Sequence, residues 1–105
     1  MRRMNYPRFD KPVNFGTFNE ARDVFILDHA PEVGIYLAQI KDEGDIYSVI
    51  CTISATENTS ACWYGRMWDD IVRLFYTPGS NSNEIGVGPH GGVSNGSTIE
   101  LYKLN

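Results

Sequence analysis

Between Asp45 and Ala55, Tyr47, Val49, Cys51 and Ile53 alternate with Ser48, Thr52 and Ser54. A strand turns successive side chains to opposite faces, so this period of two predicts a strand with the first four residues on a core face. Val33 to Lys41, rich in β-branched and aromatic residues, predicts a second strand. Asp42-Glu43-Gly44 is turn chemistry that joins the two into a hairpin.

Two other stretches fit a helical period. Thr17-Phe18-Asn19-Glu20 has the spacing of a capping box, and Phe18, Ala21 and Phe25 then share a face until Pro31 disfavours helix at Ala30. The run Val24-Phe25-Ile26-Leu27 is also good strand material, so this segment keeps both readings. From Ser60 to Tyr76, Ala61, Tyr64, Trp68, Ile71 and Phe75 recur at steps of three and four. Arg66, Asp69, Asp70 and Arg73 collect on the other side, where the pairs Arg66–Asp70 and Asp69–Arg73 support a solvated face. Trp63, Met67 and Leu74 widen the apolar arc beyond the stripe one sheet would cover, which suggests a second contact surface.

Thr77-Pro78-Gly79 stops this element, and residues 77–98 form a glycine-rich loop without aromatics. Within it Glu84 to Gly88 is a short strand; Thr98 to Leu104 is a final strand with Ile99 and Leu101 inward. The predicted fold class is α+β. The order is α-β-β-α-β-β, with a four-stranded, mainly antiparallel sheet packed by one or two helices. Residues 1–16 are expected to form a basic N-terminal arm and residues 17–105 a single domain.

Composition narrows the class of protein. The chain has 105 residues and a net charge of −4, with 42% of residues apolar and 21% charged, which suits one small folded domain and not a disordered chain. No apolar run is long enough to span a bilayer, and no apolar segment follows Arg2 and Arg3, so a cytoplasmic protein without a signal peptide is expected. Cys51 and Cys62 are then two reduced thiols, and the sequons at Asn58 and Asn95 are turn or cap chemistry.

Arg2, Arg3, Arg8 and Lys11 face a single acid, Asp10, in the first eleven residues; the remaining residues carry five basic groups and twelve acids, a net of −7. Such an arm either frays or docks on an acidic surface, its own or a sister subunit's. Nucleic acid is an unfavourable partner, because binding it needs many phosphate contacts and a basic face.

The candidate chemistry is sparse. Gly86-Val87-Gly88-Pro89-His90-Gly91 matches G-x-G-x-x-G, but a strand and not a helix follows, so a dinucleotide site fails on context. Glycines still let backbone amides turn toward an anion. Gly86, Gly88, His90, Gly91, Gly92, Ser94 and Asn95, with Arg66 as a neutralising charge, are therefore the candidate ligand-binding set for an anionic small molecule or nucleotide. The simpler reading is a hairpin loop.

His29 and His90 sit in no metal-ligand or nucleophile spacing, and a zinc site built from Cys51, Cys62, His29 and His90 would draw on four unrelated segments. Cys62, near an expected helix start, is the better thiol candidate. No cofactor and no catalytic residue are assigned. The resulting expectation is a non-catalytic binding or interaction protein acting as a homo-oligomer, of the kind a phage or mobile element encodes as an inhibitor. Trp63, Met67 and Leu74 form its expected interface with a protein partner or a sister subunit. The alternatives are a sponge-like binder of an anionic ligand and a small hydrolase or transferase using a histidine.

Overall fold

A computed structural model describes residues 11–64, 71–79, 82–88 and 93–104. Among these residues it contains eight strands and no helix: β1 (Asn14–Asn19), β2 (Val24–Leu27), β3 (Gly34–Asp42), β4 (Asp45–Ile53), β5 (Thr59–Tyr64), β6 (Ile71–Tyr76), β7 (Glu84–Gly88) and β8 (Thr98–Lys103). They form one antiparallel sheet in the order β4-β3-β8-β1-β2-β7-β6-β5, curled into a nearly closed barrel. The α+β expectation is therefore corrected to all-β.

Both expected helices are hairpins. In the first, β1 and β2 place Phe18 directly opposite Phe25, with ring centroids 5.4 Å apart in an edge-to-face contact. A helix would also have put these two residues on one face, which is why spacing alone did not separate the readings. In the second, Val72, Leu74 and Tyr76 point inward while Ile71, Arg73 and Phe75 point outward. Apolar residues on the outward row concealed the period of two and mimicked a helical arc. Residues 65–70, which carry Arg66, Met67, Trp68, Asp69 and Asp70, lie outside the described residues.

The expected β3–β4 hairpin is present, with Tyr47, Val49, Cys51 and Ile53 on the inner side. Glu43 and Gly44 both have positive φ, 50° and 89°, as a two-residue turn matching strand twist requires. The expected strands at Glu84–Gly88 and from Thr98 are also present. β1 already begins at Asn14, so residues 14–16 of the expected arm belong to the barrel.

The core fills the barrel lumen. Inward rows from every strand supply it, with Phe25, Ala38, Ile40, Val72, Ile99 and Leu101 fully buried. Sheets this curled leave little room where strands crowd, and Gly16 shows it. A Cβ built there would lie 2.8 Å from Leu27 Cδ2, 3.0 Å from Ile99 Cγ2 and 3.0 Å from the Ile26 carbonyl oxygen. Because one of these neighbours is backbone and the others are packed core, Gly16→Ala is expected to destabilise the fold by about 1–3 kcal/mol, the usual cost of overpacking. Urea denaturation would show this as a lowered midpoint with an unchanged slope; an unaltered midpoint would mean the barrel yields at this point.

Candidate functional site

One end of the barrel gathers the polar chemistry. It is formed by the β1–β2 turn at residues 20–23, the β3–β4 turn at 43–44, and the turn at 94–97 that leads into β8. Asp42, the last residue of β3, faces inward and is 1% exposed. Its Oδ1 accepts a hydrogen bond from Ser97 Oγ at 3.1 Å and a longer one from the Ser94 amide at 3.4 Å. The Ser97 carbonyl in turn accepts from the Phe18 amide at 2.9 Å, so one carboxylate oxygen ties β3, β8 and β1 together at their ends. The other oxygen, Oδ2, is buried and has no hydrogen-bond partner.

A second unpartnered group lies at the same end. Trp63, near the end of β5, packs its ring against Tyr47 of β4, with centroids 6.2 Å apart. Its Nε1 is buried without an acceptor. This aromatic contact crosses the one seam of the barrel, where β4 and β5 lie side by side but share no backbone ladder among the described residues. At the far end of that seam is an apolar cavity of about 10 Å³ between Ile53, Ala61, Leu74 and Ile85. Such a space holds about one water at most and, being apolar, is best left dry.

Outside the lumen, Phe18, Asn19, Glu20, Ala21 and Asn95 line an open depression of about 690 Å³ at the polar end. The described charges around this end are mainly acidic: Glu20, Asp23, Asp42, Glu43 and Asp45. Arg22 is engaged by both oxygens of Glu84, at 2.6 and 2.9 Å, and Lys41 lies 3.3 Å from Glu100.

Of the eight residues expected to bind a ligand, Gly86, Gly88, Ser94 and Asn95 fall within the described residues. Gly86 and Gly88 lie on the outer face of β7, where the ring of Phe75 covers them: a Cβ at Gly86 would sit 2.7 Å from Phe75 Cδ2, and one at Gly88 3.2 Å from its Cζ. Their lack of side chain makes room for a cross-strand ring. Ser94 and Asn95 are at the polar barrel end. His90, Gly91, Gly92 and Arg66 lie outside the described residues, as does Met67 of the expected interface. Trp63 and Leu74, the other interface candidates, turn toward the lumen, Leu74 almost completely buried. Asp42 was read as a turn residue; the signal that places it inward is its position two residues beyond Ile40 in the row Tyr36, Ala38, Ile40.

His29 is a clamp between chain segments. Its Nδ1 lies 3.2 Å from the Ala30 carbonyl oxygen and its Nε2 3.1 Å from that of Val13, while Asn14 Nδ2 donates to the His29 carbonyl at 2.9 Å. Both cysteines are free. Cys62 is exposed on the outer row of β5, opposite Arg73 in register. No group of three or more metal-ligating side chains occurs among the described residues. No protein-family model, no curated protein and no solved structure matches the chain.

Burial pushes the Cys51 thiol from its ordinary value of 9.0 up to about 11, and burial likewise raises the Tyr36 phenol. Both groups hold their protons more tightly folded than unfolded: the thiol's contribution is intact below pH 9 and is lost as pH rises through about 11, and the phenol's is intact below pH 10 and is lost above it. The urea midpoint is expected to stay level from pH 7 to 8.5 and to fall between 9 and 11; a level midpoint through pH 11 would contradict the burial of these groups. At pH 8 a thiol reagent should titrate Cys62 rapidly and Cys51 only after guanidinium is added.

Proposed function

We propose that the protein is a non-catalytic interaction protein that acts as a homo-oligomer, using the outer face of β3 and β4. The observation that carries this reading is the exposure of Ile46 and Ile50, 60% and 55%, on a strand at the edge of the sheet. Register places Ile50 opposite Leu37 and diagonal to Ile35, so these side chains form one aliphatic patch, extended by Val33 just before β3.

From Ile46 to Tyr64 the chain carries one charged residue, Glu57, and no proline. Lys41 stands opposite Ile46, so the aliphatic face centres on Ile50, Ile35, Leu37 and Val33, and such a face favours a self-complementary contact with a second copy related by a two-fold axis. It takes the place of the Trp63–Met67–Leu74 surface expected from helical spacing.

Light scattering coupled to size exclusion tests the proposal at micromolar concentration. The wild-type chain should elute as a multimer, and Ile50→Lys, which sets a charge in the patch while its stem still covers β3, should weaken self-association at least tenfold with the strand signal in circular dichroism unchanged. A monomeric wild type, or a multimer indifferent to Ile50→Lys, would sink it.

A further inference from the structure

We infer that the polar end of the barrel is a binding site for a small organic ligand bearing a protonated primary amine, with Asp42 as the group that accepts its hydrogen bond. Asp42 is 1% exposed, yet one of its two carboxylate oxygens is without any donor. Burying a charged acceptor unpaired is costly, and native structures nearly always supply the missing partner. The missing partner is a donor, and at a carboxylate a cationic donor forms the strongest bond.

Trp63 makes an independent case for the same end. Its indole N–H is buried and lacks an acceptor, so a ligand that also carries an oxygen or nitrogen acceptor would be held at two points. The two orphaned groups belong to inward rows on β3 and β5. Tyr47, on the intervening β4, packs against Trp63, and Phe18, Val87 and Val93 contribute apolar surface to the same cluster. A few placed polar groups on an apolar lining are the usual make-up of a small-molecule site.

The carboxylate itself sets the sign of the ligand: Asp42 Oδ2 is an acceptor whose partner is missing, and a protonated amine is a donor that also carries the opposite charge. The open depression beside it, with Glu20, Asn19 and Asn95 on its rim, supplies further acceptors on the same side of the barrel.

The test uses tyramine as probe, whose phenol oxygen can accept from the indole, with tyrosol as the neutral alcohol and 4-hydroxyphenylacetate as the anionic phenylacetate control of the same skeleton. Proton–nitrogen correlation spectra of the full chain report the Trp63 indole N–H directly, assigned by its loss in Trp63→Phe. The amine should shift that resonance saturably, the alcohol at least tenfold more weakly, and phenylacetate not at all. Asp42→Asn keeps an oxygen to accept from Ser97 and should cut amine affinity at least tenfold, while Glu57→Gln, in the exposed β4–β5 connection at the opposite end, should change it less than twofold. If Asp42→Asn fails to fold, calorimetric titration of Trp63→Phe with the amine replaces it, with weakened binding expected. An indole resonance unmoved by all three compounds, an equal response to phenylacetate, or full amine affinity in both Asp42→Asn and Trp63→Phe would overturn the assignment. None of these outcomes bears on the outer β3–β4 face, whose variant is read by mass.

Discussion

β8 is hydrogen-bonded along both of its edges, to β1 on one side and to β3 on the other. In sequence it follows the other seven strands, yet in space it lies between the β3–β4 hairpin and the five strands β1, β2, β7, β6 and β5. Remove it and the sheet falls into two pieces, each with an open apolar face. Its inward residues Ile99 and Leu101 are fully buried, and its first turn is fixed to β3 by the Asp42–Ser97 bond. The other pairings are hairpins or neighbours on one side of this join, so closure of the barrel rests on a strand of six residues. Its contacts reach far along the chain: Ile99 lies opposite Gly16 in one ladder and opposite Ile40 in the other. Contacts of such long range are paid for in loop entropy before they return any packing.

What could be read along the chain follows the same division. Where one face of a strand is apolar and the other polar, as from Tyr47 to Ile53, the period of two was legible and the inward residues were the right ones. It failed where both faces are apolar. In β6 the outward Ile71 and Phe75 interrupt the alternation, and in β1–β2 the pair Phe18–Phe25 satisfies a helix and a hairpin equally well. Long-range pairing settles such segments, and pairing is invisible to a window of a dozen residues. The polar end was harder still. Asp42 and Trp63 stand twenty-one positions or more from Ser94 or one another, and only closure brings their strands' inner rows to the same end.

The two surfaces of this barrel therefore do different physical work. Inside, one carboxylate oxygen is spent on architecture while its twin is left empty, a division of labour within a single side chain. Outside, isoleucines on β4 lie open on a strand with almost no charge to keep other chains away. The proposed ligand end and the proposed subunit face lie on different surfaces, so occupancy of one would not compete with the other.

Phe75 and the two glycines beneath it have a consequence for how this sequence is free to drift. The ring occupies the space that a side chain at 86 would need and crowds one at 88, so a larger residue at either position requires the exposed ring to swing aside. A smaller residue at 75 removes that requirement. Relatives of this chain should accordingly inherit the three positions as a unit, aromatic with small, or smaller with larger, and an alignment of them would show covariation between residues eleven and thirteen apart with no ligand involved.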